Sequence, residues 1–148
     1  VSAAWSRIEP PDQLGIFLGS LVWTGRELLR FGLSSSDNTV ALAAVYNPAT
    51  ARWRRGAEVP LPPTDAFNGT PGSQSVAWTG DQLIAFAGAL GQGMDPGPTA
   101  MLAYDAQADR WQRLPDAPTS GYHPDLVWAG DRVLLRADRL YELPLTGG

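Results

Sequence analysis

The amino-acid sequence predicts an all-β chain built from repeated four-stranded antiparallel sheets, and three observations carry that expectation. Gly and Pro number 16 and 13 in 148 residues and are spread between short apolar runs, the pattern of many turns joining short strands. One segment recurs three times, with Trp23, Trp78 and Trp128 standing 55 and 50 residues apart. A second unit, Tyr followed seven residues later by Trp, occurs at Tyr46/Trp53 and Tyr104/Trp111. Self-similarity at such a period marks a repeat architecture.

The first unit reads Leu21-Val22-Trp23-Thr24-Gly25-Arg26-Glu27-Leu28-Leu29, then Val76-Ala77-Trp78-Thr79-Gly80-Asp81-Gln82-Leu83-Ile84, then Leu126-Val127-Trp128-Ala129-Gly130-Asp131-Arg132-Val133-Leu134. Gly followed by a polar residue between two apolar runs is hairpin chemistry, so each copy predicts two antiparallel strands, a and b. The second unit predicts strands c and d. Asn47-Pro48 and Asp105-Ala106 open its turn, because Asn and Asp side chains cap turns and Pro presets φ. Pro60, Pro62 and Pro63 follow one strand d, and Pro115 and Pro118 the other; Pro cannot continue a ladder. Trp5-Ser6-Arg7-Ile8-Glu9-Pro10-Pro11 matches Trp111-Gln112-Arg113-Leu114-Pro115, and Arg139-Leu140-Tyr141-Glu142-Leu143 reads as a shortened strand c. The expected units are therefore an outer strand d within residues 1–11, a first unit over 12–63, a second over 64–118, and a third over 119–148 without its outer strand.

The Tyr46/Trp53 and Tyr104/Trp111 pairs and the turn glycines Gly25, Gly80 and Gly130 resemble kelch repeats over nearly the whole chain. The Gly-Gly doublet of that family after strand b appears only as Phe31-Gly32, Ala87-Gly88 and Arg136-Ala137, so the repeats are divergent. The resemblance implies blades of a β-propeller, with strand a lining a channel and the d–a and b–c loops forming one rim. Closed rings use about 4–8 blades, and an open stack would bare an apolar face at each end. The expectation is a homodimer closing a six-bladed ring, in which the Trp5–Glu9 strand completes the last blade of its partner; missing blades of a longer chain would serve equally.

Charge and composition narrow the partners. The net charge is −4 and every basic residue is Arg, so nucleic-acid binding has little electrostatic support. There is no Cys, which removes disulfides, thiolate-held metals and thiol catalysis. No apolar run approaches the roughly 20 residues of a membrane-spanning helix. Neither a cofactor nor a metal is implied.

Aligned on the strand-a Trp residues, Ser20, Ser75 and Asp125 share one position, preceded by Gln74 in the second unit and by Tyr122 and His123 in the third. With Phe17 and Phe67 on the d–a loops, these residues form the expected binding rim, since function sits on loops held by a rigid scaffold. The expected function is a non-catalytic binding scaffold for a protein segment or glycan. One alternative is an epimerase-like or mutarotase-like sugar enzyme using His123, the sole His, with Asp125 two residues on, a pair suited to acid–base work. Another is a propeller fragment with no ligand. The Gly-x-Ser-x-Gly elbow of hydrolases does not occur.

Overall fold

The computed structural model describes residues 4–9, 19–33, 41–60, 71–90, 96–119 and 124–145. Its strands are β1 (Gly19–Trp23), β2 (Leu28–Leu33), β3 (Ala41–Asn47), β4 (Arg52–Arg55), β5 (Pro71–Trp78), β6 (Gln82–Leu90), β7 (Pro96–Asp105), β8 (Arg110–Arg113), β9 (Asp125–Trp128), β10 (Arg132–Arg136) and β11 (Leu140–Pro144). They form three sheets in simple meander order, β1-β2-β3-β4, β5-β6-β7-β8 and β9-β10-β11, with every neighbouring pair antiparallel. No helix occurs among the described residues. From residue 19 onward the expected a, b, c and d strands fall on these elements in sequence, but the outer strand d expected within residues 1–11 does not, since residues 4–9 form no strand.

Local chemistry sets the hairpins. Gly25, Gly80 and Gly130 take φ of 92°, 112° and 92°, and a Cβ there would meet nothing within 4 Å. The requirement is therefore conformational: a positive φ at the first loop position favours Gly. Thr24 and Thr79 reinforce these turns, their Oγ1 accepting the N–H of Glu27 and Gln82, each at 3.0 Å. The β3–β4 and β7–β8 hairpins are longer. Asn47 Oδ1 accepts the Ala49 N–H, and Asp105 Oδ1 those of Gln107 and Ala108. Each of these loops ends on a left-handed residue, Ala51 (φ 53°) or Asp109 (φ 47°).

The middle sheet buries both faces, and alternation along its strands divides them. Leu83, Ala85 and Ala87 of β6 and Ala100, Leu102 and Tyr104 of β7 join Leu29, Phe31, Val45 and Val59 of the first sheet and its exit. The intervening Ile84, Phe86, Met101 and Ala103 join Leu126, Val133 and Leu135 of the third sheet. β1 lies against β5, and β5 against β9, so the first strands of the three sheets stand side by side. Among the described residues no buried side-chain nitrogen or oxygen lacks a hydrogen-bond partner.

Trp111 closes the first of these interfaces. Its ring lies 4.7 Å from Tyr104 on its own sheet and 5.5 Å from Phe31 on the neighbouring one. Its Nε1 donates to the Ala57 carbonyl at 3.1 Å. Trp53 repeats the pattern one unit earlier, 5.1 Å from Tyr46, with its Nε1 donating to the Glu9 carbonyl at 3.0 Å. Residues 4–9 pair with no strand of the described chain.

The two left-handed loop ends differ in what they carry. Ala51 is exposed, whereas Asp109 Oδ1 accepts the Ala57 N–H at 2.8 Å and the hydroxyl of Tyr104. A left-handed conformation costs an ordinary L-residue roughly 1–2 kcal/mol. Ala51→Gly is expected to raise stability by about 1 kcal/mol net of glycine's entropy. Asp109→Gly is expected to lower it by about 1 kcal/mol through the lost hydrogen bonds. Chemical denaturation of the two variants checks the opposite signs.

Candidate functional site

The first strands of the three sheets bring one row of residues together. Ser20 pairs in register with Phe31, Ser75 with Phe86 and Asp125 with Arg136, so the three positions aligned in sequence occupy the same rung of β1, β5 and β9. Ser75 Oγ accepts the Leu126 N–H at 3.0 Å and ties the second sheet to the third. Ser20 is half-buried beside it. Asp125 is exposed and receives the Arg136 guanidinium from the facing strand, with Nε at 3.0 Å from Oδ2. Gln74 lies in β5 opposite Ala87. Phe17, Phe67, Tyr122 and His123 lie outside the described residues. Of the expected rim, the structure thus places Ser20, Ser75 and Asp125 on one rung of three adjacent strands. Among the described residues no group of three or more His, Cys, Asp or Glu side chains is placed to hold a metal ion.

A titratable cluster escaped the sequence reading. Tyr104 donates its hydroxyl to Asp109, and Arg54 Nη1 lies 3.7 Å from the same carboxylate. Burial, then the bond to Asp109, pushes the Tyr104 hydroxyl up to about 12. That same bond holds the Asp109 carboxyl below its ordinary value. The cluster joins β4, the exit of the first sheet and the β7–β8 loop, so it fastens two sheets. Its only sequence signal is an Asp two residues before Trp111, where the earlier unit has Ala51.

A cavity of about 130 Å³ also lay beyond the sequence reading. Its walls are Met101 of β7, Pro115 to Pro118 at the exit of the second sheet, Val133 and Leu135 of β10, and Tyr141 to Leu143 of β11. Apolar atoms dominate its lining. It opens beside β11, whose outer edge has no partner strand among the described residues.

No family model matches the chain, and no curated protein matches it.

Two outcomes test these assignments. Ser75→Ala removes the acceptor of a part-buried N–H and is expected to cost about 1 kcal/mol in denaturant unfolding. Tyr104 has its folded value above the ordinary 10.0. Its neutral form therefore contributes stability that is fully present below about pH 10 and is lost as pH rises towards about 12. Tyr104→Phe is expected to shrink that alkaline loss in a pH series of unfolding curves.

Proposed function

We propose that this chain is a run of kelch-like propeller blades serving as a non-catalytic scaffold, which holds a protein segment or glycan at the end of β1, β5 and β9. One observation carries the reading: three adjacent strands share a common rung, marked by Ser20, Ser75 and Asp125. The segments that enter those strands carry Phe17, Phe67, Tyr122 and His123, which are taken as the contact residues of the proposed scaffold. Loops placed by a rigid sheet stack are the usual carriers of recognition, and hydroxyl and carboxylate groups beside aromatic rings suit a sugar or an extended peptide. The fold itself does not choose between ligands. The ties of Ser75 to Leu126 and of Asp125 to Arg136 favour a framework role for those two side chains, so contact is assigned to Phe17, Phe67, Tyr122 and His123.

The test uses a printed glycan array and a peptide library, followed by affinity measurements on the best probe. Phe67→Ala and His123→Ala are each expected to weaken that probe about tenfold or more, the scale of losing one well-placed contact, while far-UV dichroism stays unchanged. The purified chain is expected to leave free aldoses unconverted. Turnover of a sugar that disappears in His123→Ala would establish the enzyme reading instead.

A further inference from the structure

The apolar cavity beside β11 stands where each complete unit places a tryptophan. Register makes the correspondence. Trp53 pairs with Tyr46, and Trp111 with Tyr104; those Tyr residues in turn face Leu28 and Leu83. In the third sheet the matching rung is Val133 with Leu143, so a tryptophan on a fourth strand would face Leu143. The walls agree. The carbonyl that receives the Trp111 Nε1 belongs to Ala57, four residues after Trp53; four residues after Trp111 is Pro115, which lines the cavity. Val59 and Ala117 likewise correspond, as do Leu83 and Val133, Ala85 and Leu135. An apolar cavity of about 150 Å³ holds one benzene-sized ring, the scale of the 130 Å³ found here.

The chain also carries the missing side chain, presented outward. Glu9, whose carbonyl takes the Trp53 Nε1, lies four residues after Trp5. Residues 5–9 therefore sit on the first sheet as residues 53–57 sit on the second, in the place of an outgoing outer strand. Trp5 itself is fully exposed. An exposed tryptophan on a segment without a ladder, in a chain with an open apolar socket, is an unfinished contact. The edges tell the same story. The outer strands of the complete sheets are Arg-Trp-Arg-Arg and Arg-Trp-Gln-Arg, charged as protected edges are. β11 reads Leu-Tyr-Glu-Leu-Pro, with Glu142 as its single charge and Pro144 at its end.

We propose that the cavity walled by Pro115, Ala117, Val133, Leu135 and Leu143 is the seat of Trp5 from a second copy of this chain, whose Trp5–Glu9 segment adds to β11 as an antiparallel fourth strand. The occupant is a second copy because Trp53 anchors the segment to the first sheet of its own chain, while the free edge belongs to the third. Exchanged in both directions, the contact joins two chains around a two-fold axis. Strand addition supplies backbone hydrogen bonds, and the seated ring supplies the specificity.

Paired as in the complete sheets, where Gln112 faces Ala103, Ser6 of one copy faces Glu142 of the other. The native chain has no Cys, so Ser6→Cys and Glu142→Cys, prepared separately, form a clean pair. Mixed and oxidised, they are expected to give a covalent species of twice 15.8 kDa, while either alone does not. Light scattering of the wild-type chain is expected to give the same doubled mass. Trp5→Ala, at a fully exposed site, is expected to raise the dimer dissociation constant about thirtyfold or more. A monomeric mass at all concentrations overturns the proposal. So does a dimer that is indifferent to Trp5→Ala and leaves the mixed variants unlinked, because its contact lies elsewhere. A monomer that binds glycans or peptides defeats this proposal alone, and a Trp5-dependent dimer that binds neither defeats the scaffold reading alone.

Discussion

The indole of Trp111 joins two sheets by being wanted on three sides. Its ring rests on Tyr104 of its own sheet and Phe31 of the next, and its N–H goes to the carbonyl of Ala57, in the segment that leaves the first sheet. A buried tryptophan needs both an apolar bed and a hydrogen-bond acceptor, and here the two come from different parts of the chain. The outer strand that carries it has only four residues and a ladder on one side. It contributes little alone and is positioned by this one side chain. Asp109 strengthens the same joint from the loop beyond, taking the Ala57 N–H one atom group away from the carbonyl that Trp111 uses. The first and second sheets are thus held at their outer edge through Ala57, and the second and third at their inner edge by the Ser75–Leu126 bond. β1, β5 and β9 lie side by side across both junctions.

Much of this frame was legible because the repeat is written in large residues. Trp23, Trp78 and Trp128 align the three inner hairpins, and counting back three places from each finds the row of Ser20, Ser75 and Asp125, which the strand registers reproduce. The a–b and c–d hairpins were legible because Gly, Asn and Asp have strong turn chemistry. What escaped depends on pairings that no single segment displays. Arg136 as the partner of Asp125 needs the β9–β10 register. The left-handed ends at Ala51 and Asp109 follow from loop length and not from residue type, since Ala has no preference for that conformation. In the third sheet the visible aromatic is Tyr141, yet the rung held elsewhere by Tyr46 and Tyr104 belongs to Leu143; a shortened connection hides this until the ladder is drawn. The cavity is invisible for the same reason, as its walls come from three strands and an exit loop.

The end sheets are not copies of the middle one, and the difference has a direction. On the outer face of the third sheet, Leu134 stands at the rung of Ile84, Arg136 at that of Phe86, and Glu142 at that of Ala103. Arg132–Glu142 and Arg136–Asp125 ion pairs flank Leu134 and the exposed Val127. Exposed pairs of this kind add at most about 1 kcal/mol each, so the face is not stabilised by its charges. An apolar centre inside a charged margin is the plan of an interface, whereas a capping repeat would be polar throughout. The opposite end of the chain shows Leu21 and Trp23 exposed on one side of β1. Because the two ends differ, any end-to-end contact runs head to tail. The first sheet of an arriving copy also carries the Trp5–Glu9 segment, fastened through Trp53. In the proposed dimer, docking its β1 face on the third sheet would deliver that segment to β11 in the same movement, as the second sheet holds residues 53–57 beside the first. Face contact and strand addition would then be two parts of the one proposed event.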